Sequence, residues 1–237
     1  MLRHDAGIEL FSDGGKYAGY EDFSFQGTAS KSFILPSIST VMCSIGAPLI
    51  PMLMRHGFEH RWISFQHLLD SLPAAMLCAL ETAQRLEPRY YFVALLSIGG
   101  YSPERGRWET WSIYGSAPPR GGKIEAPVLR PSQRAYFHPR PDDTALRRYG
   151  FEADADFNAL AENPIGFMRA MRATPQYMGK IGGAAADAST GHTIGGFIER
   201  VILENEAALT NVVWRWPDRV GSMIDPNNEG GPVALPL

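Results

Sequence analysis

The period of apolar and polar positions changes several times along the chain. Residues 7–12 alternate and run into Asp13-Gly14-Gly15, which predicts a strand closed by a turn. Residues 16–30 are rich in Gly, Tyr and Ser and predict a loop or loose hairpin. Two short apolar runs, 31–35 and 39–45, flank Pro36-Ser37-Ile38 and predict a tight hairpin of buried strands. Gly46 marks a change from strand to helix. A short helix is expected from Ala47 to His56, with Pro48 in its first turn, where a missing N–H costs little, and Pro51 shifting its start. Ser64 is a good N-cap for the helix that follows. There Leu68, Leu72, Met76, Ala79, Leu80, Ala83 and Leu86 recur at three- and four-residue steps and form one apolar face. Pro73 is expected to kink or split this helix, and Pro88 ends it.

Tyr90 to Ile98 is a continuous apolar run suited to a central strand; Gly99 to Pro103 reads as a turn, and Arg107 to Tyr114 alternates as the return strand. Residues 115–150 carry many prolines and arginines without a period and read as a long, partly irregular connection, with a strand near Arg134–Phe137. A helix is expected from Asp156 to Ala173, broken or restarted at Asn163-Pro164. A Gly/Ala-rich segment, 179–196, leads to a last hairpin, Phe197–Leu203 and Leu209–Trp216. The end beyond Pro217 is Asn/Gly/Pro-rich and expected to fray. Strands and helices in blocks argue for an α+β fold rather than alternating βαβ units. Hairpins on either side of helix pairs suit a four-layer αββα sandwich: one domain over residues 1–220, with a tail at 221–237.

Composition narrows the function. A chain of 237 residues with 45% hydrophobic and 20% charged residues can bury a core without disulfides or metals. Its net charge of −3 offers no electrostatic ground for nucleic acid or an anionic membrane as partner. The N-terminal MLRHDAGIELF lacks the apolar core of a signal peptide. The most apolar stretch, Thr40 to Met54, is broken by Gly46, Pro48 and Pro51 and is too short to span a bilayer. Cys43 and Cys78 sit in apolar sequence and read as buried small hydrophobes, so a reducing cytoplasm is the expected location. Six scattered histidines without ligand spacing point to no metal. Gly179-Lys180 lacks the flanks of a phosphate loop, so no cofactor is expected. Trp214 and Trp216 read as aromatics filling one face of a sheet, with ligand stacking as the other reading.

Several residues carry a resemblance. Phe11-Ser12-Asp13-Gly14 puts an acid at the end of an early strand, and Lys31-Ser32-Phe33-Ile34-Leu35-Pro36 opens a hairpin with a lysine. Ser44-Ile45-Gly46-Ala47 leads from that hairpin into a helix, and Leu96 to Tyr101 ends a central strand in Gly-Gly-Tyr. Trp111 to Gly115 forms the return, and Asp187-Ala188-Ser189-Thr190-Gly191 precedes the last hairpin; an alternative alignment places this last segment at Ile194-Gly195-Gly196. In order and spacing this resembles the N-terminal-nucleophile (Ntn) hydrolases, in their proteasome β-subunit branch, including bacterial proteasome-like and phage-type proteins.

The resemblance implies a centre in which a hydroxyl or thiol on a free α-amine attacks an amide. A buried lysine lowers the nucleophile's pKa, an acid orients the lysine, and a glycine N–H meets the oxyanion. Asp13 and Lys31 would inherit the acid and lysine roles, Gly46 the oxyanion role, and Asp187 and Thr190 supporting ones. The nucleophile is expected at the start of a strand preceding the one that carries Asp13, yet residues 1–5 contain no Thr, Ser or Cys and leave little room for that strand. The expected function is therefore a non-catalytic structural or assembly subunit that forms homo-oligomers. The alternative is an active peptide or amide hydrolase whose nucleophile lies upstream of Met1, with a peptide or small amide as ligand.

Overall fold

Two five-stranded antiparallel sheets organise the described part of the chain. The first runs in the order β1 (Leu2–Arg3), β2 (Gly7–Asp13), β12 (Phe197–Glu204), β13 (Ala207–Arg215) and β14 (Gly231–Pro232). The second runs β5 (Ser32–Leu35), β6 (Thr40–Gly46), β7 (Phe92–Ser102), β8 (Arg107–Ala117) and β9 (Val128–Pro131). Two ribbons complete the strands: β3 (Gly15–Tyr17) with β4 (Phe25–Thr28), and β10 (Gln176–Met178) with β11 (Ser189–Gly191). The helices are α1 (Leu49–Phe58), α2 (Phe65–Leu86), α3 (Asp143–Arg148), α4 (Phe157–Glu162) and α5 (Pro164–Ala173). This computed structural model describes all residues except 18–23, 120–121, 133–139, 153–154, 156, 179–188, 205–206 and 235–237, so the strand expected near Arg134–Phe137 lies outside the described residues.

The fold is mixed α/β, and among the described residues the apolar side chains gather in three clusters. Leu68, Leu72, Met76, Leu80 and Ala83 of α2 pack with Leu96 and Ile98 of β7 and Ile113 of β8. Phe167 and Met171 of α5 pack with Leu146 of α3, Ile198 of β12 and Trp216. The third cluster draws on both large sheets: Ile8, Leu10, Val201 and Leu203 from the first, Val41, Cys43 and Trp108 from the second, together with Met1. Period decides which residues go where. On β12, Val201 and Leu203 share one face and Ile198 takes the other, as strand alternation requires.

α2 begins where its cap predicts: the Ser64 side chain accepts from the His67 N–H at 3.1 Å. Pro73 does not split it; the helix is continuous through Leu86, because the wide buried face outweighs one lost backbone bond. α1 starts at Leu49 with Pro48 as its cap, and Pro51 is buried inside its first turn. Asn163 restarts the helix as expected, its side chain accepting from the Gly166 N–H.

Four expectations are corrected. The segment Gly99–Ser102 is strand rather than turn, because the small glycines admit Phe65 and Thr40 on one side and Met1 and Ile8 on the other. The irregular 115–150 connection contains α3, capped by Asp142. Cys78 is exposed, while Cys43 is buried. The end beyond Pro217 is tied down where it is described: Glu229 receives Arg148 and Arg169, and Trp214 Nε1 donates to the Glu229 carbonyl at 3.0 Å.

Candidate functional site

The early strand thought to have no room is present. Leu2 and Arg3 fold back over the 4–6 turn, closed by the His4 N–H on the Gly7 carbonyl at 2.8 Å, and pair with Glu9 and Ile8. This carries Met1 past the Leu2–Glu9 pair towards Leu10 of β2, and Met1 and Asp13 line one cavity.

Asp13 closes β2 opposite Ile198 of β12 and is buried. Lys31 immediately precedes β5 of the other sheet, and its Nζ donates to Asp13 Oδ1 at 2.7 Å. The second carboxylate oxygen accepts the Gly15 N–H at 3.0 Å and the Gly195 N–H at 3.3 Å. Charge-assisted bonds of this kind fix a carboxylate in orientation. The sequence-derived acid and lysine thus meet as expected.

Around them lies a cavity of about 50 Å³ whose walls include Met1, Ser12, Asp13, Lys31, Cys43 and Ser97. That volume holds a water or two and no peptide. Burial pushes the Met1 α-amine down to a pKa of about 6, with Cys43 and Glu9 opposing the shift. Burial pushes the Cys43 thiol up to about 11, against the pull of Lys31. The Ser12 hydroxyl is buried and has no hydrogen-bond partner among the described residues. Lys31 also faces an open groove of about 410 Å³ between the β5–β6 hairpin and α1, lined by Phe33, Pro51, Met52 and Arg55. The Arg55 guanidinium stands over the Phe33 ring, 5.1 Å from its centroid.

Sequence reasoning missed Ser12, Cys43, Ser97 and Glu199. Glu199 is buried and accepts from Ser30 Oγ at 2.7 Å and from Ser32 Oγ. One signal for it was available, since it shares the inward parity of Val201 and Leu203 on β12.

Of the remaining expected residues, Gly46 and Thr190 are described, each in a different element. Gly46 ends β6 with φ +100°, and a Cβ there would lie 2.2 Å from the Val93 carbonyl oxygen, so close backbone approach accounts for the glycine. Its neighbour Ile45, not Gly46, is among the cavity residues. Thr190 pairs with Tyr177 in the β10–β11 ribbon, and Asp187 lies outside the described residues. Of the two alignments for that segment, the one at Ile194-Gly195-Gly196 falls on residues that touch Asp13 and the cavity. Among the described residues no group of three or more His, Cys, Asp or Glu side chains could hold a metal ion. None of the described helices is long and apolar enough to cross a membrane.

Anbu (ancestral beta-subunit) from Yersinia bercovieri superposes with a TM-score of 0.50 at 12% identity, over 89% of this chain and 85% of its own. The fold is proteasome-like. Anbu from Hyphomicrobium sp. strain MC1 matches at 11% identity and a TM-score of 0.47, over 89% of this chain and 84% of its own. No protein-family profile matches the sequence, and no curated protein matches it in sequence. The resemblance to the proteasome β-subunit branch is corrected accordingly, because the structural likeness is to Anbu, a related but distinct proteasome-like family. The residues that carried the resemblance are short segments read by their order and spacing, and these follow the fold rather than a branch within it.

Proposed function

We propose that this chain is a proteasome-like protein without hydrolytic activity of its own, a structural subunit that assembles with further copies of itself in the cytoplasm. One observation carries the reading: the residue just before β1, which lines one cavity with Asp13 and Lys31, is a methionine. Its thioether packs on β7, where a Cβ on Gly99 would come within 2.8 Å of Met1 Sδ. A thioether has no proton to give up and forms no acyl intermediate, so the pair has no hydroxyl or thiol there to activate. Cys43 does not replace it, because burial keeps its thiol protonated. Asp13 and Lys31, with Gly46, Asp187 and Thr190, are then vestigial or supporting. The three apolar clusters support the finer reading of the architecture as a four-layer αββα sandwich forming one domain over 1–220, followed by the 221–237 tail. A peptide or small amide ligand would enter by the groove beside Lys31, whose volume falls within the usual range for ligand sites.

A second reading, an amide hydrolase with its nucleophile on residues upstream of Met1, is favoured by the intact Asp13–Lys31 bond. Intact-mass analysis of the natural protein after treatment with a peptide epoxyketone separates the two. The structural reading expects no adduct and a sedimentation coefficient above that of a monomer. An adduct on an N-terminal Thr, Ser or Cys decides for the hydrolase, and a monomer without adduct removes the assembly role.

A further inference from the structure

A second buried ion pair lies behind the Asp13–Lys31 centre, and two consecutive amides join them. The side chains of Arg172 in α5 and Asp218 are 2% and 3% exposed. Arg172 Nη2 donates to Asp218 Oδ1 at 2.6 Å and to the Asp225 carbonyl at 2.9 Å. Its Nη1 donates to Asp218 Oδ2 at 3.1 Å and to the Ile194 carbonyl at 2.8 Å. The guanidinium also stacks over Trp216, 4.8 Å from the ring centroid. One side chain therefore ties α5 to three separate stretches of chain.

The Gly195–Gly196 turn carries this order to the centre. The Gly196 N–H donates to Asp218 Oδ2 at 2.7 Å, and the Gly195 N–H donates to Asp13 Oδ2 at 3.3 Å. A Cβ on Gly195 would meet Asp218 Oδ2 at 2.8 Å and Arg172 Nη1 at 3.3 Å, so the turn is pressed against the pair and has no room for a side chain. Neighbouring amides thus serve two carboxylates, one neutralised by Arg172 and one by Lys31.

A buried ion pair contributes little stability over apolar groups of the same volume, while its fixed geometry can specify an arrangement. We propose that Arg172 is a positioning residue for the Asp13–Lys31 pair, acting through Asp218 and the Gly195–Gly196 amides. With Arg172 in place, the Gly195 amide of the turn and the Gly15 amide both hold Asp13 Oδ2, and Oδ1 stays aimed at Lys31. This holds whether or not the centre catalyses a reaction, so its failure is separate from that of the structural reading.

The sequence contains four lysines, at 16, 31, 123 and 180, so the ammonium resonances of a 15N-lysine-labelled protein can be assigned with a Lys31→Arg variant. Two variants are compared with the parent protein: Asp218→Asn, which keeps the shape of the pair, and Arg172→Met/Asp218→Leu, which replaces it with apolar groups. Hydrogen exchange of the Lys31 ammonium and of the Gly195 and Gly196 amides should quicken about tenfold, the scale of losing one charge-assisted bond. Exchange of the Lys123 ammonium should stay as it was, with the far-UV circular dichroism preserved. Unchanged Lys31 exchange in a folded variant overturns the proposal. So does failure of both variants to fold, which would assign the pair to folding itself.

Discussion

Lys31 Nζ sits 2.7 Å from Asp13 Oδ1 and so bonds the lead-in to β5 in one sheet to the last residue of β2 in the other. The two residues are eighteen apart in sequence and belong to different sheets, so the bond forms only once the sheets have come together.

Removing the lysine leaves a buried carboxylate with two backbone N–H partners and a lost counter-charge. Lys31→Ala should cost about 2–4 kcal/mol in urea unfolding, near the lower end for breaking a buried pair because part of Lys31 is exposed. Lys31→Arg should recover part of that cost. A loss below about 1 kcal/mol would show that the pair behaves as a surface contact.

The α-amine of a chain beginning at Met1 makes stability depend on pH. Burial lowers its folded pKa from 8.0 to about 6, so between those values the unfolded state binds more protons than the folded state. The contribution is fully present above pH 8 and is lost as pH falls through about 6, amounting to about 2–3 kcal/mol. Urea midpoints measured from pH 6 to 8 should rise with pH, and acetylation of Met1 should flatten the slope. Equal slopes with and without acetylation would show that the amine is solvated.

Cys43 acts at the alkaline end. Its folded pKa is raised from 9.0 to about 11, so the folded state keeps a proton that the unfolded state has already released. Stability is therefore unaffected below pH 9 and falls as pH rises towards 11, and Cys43→Ala should remove that part of the fall. In the native protein a water-soluble disulfide reagent should modify the exposed Cys78 quickly and the buried Cys43 only on unfolding. Two fast thiols would refute this placement.

The apolar stripe of α2 gives a packing test. Leu72 and Leu80 are fully buried against the second sheet, so Leu72→Ala or Leu80→Ala should cost about 2–5 kcal/mol. Glu81→Ala, on the exposed side of the same helix, should change stability by less than about 0.5 kcal/mol. Similar losses at both kinds of position would mean that α2 is not one-sided.

Local chemistry made α2, its Ser64 cap, the β5–β6 hairpin, the Asn163 restart and the last hairpin legible, because each rests on a period or a cap within a few residues. It also made Asp13 and Lys31 legible as an acid ending one strand and a lysine opening another. Tertiary structure alone decided the rest. Leu2–Arg3 is too short to show a period and becomes a strand only because β2 offers it an edge. Gly99 and Gly100 read as a turn locally, but are strand because Phe65, Ile8 and Met1 pack where side chains would be. Glu199 reached the Ser30 and Ser32 hydroxyls across separations of 169 and 167 residues, and Arg172 reached Asp218 across 46. Such pairings leave no local pattern, since the bond that satisfies each buried charge exists only after distant segments have packed.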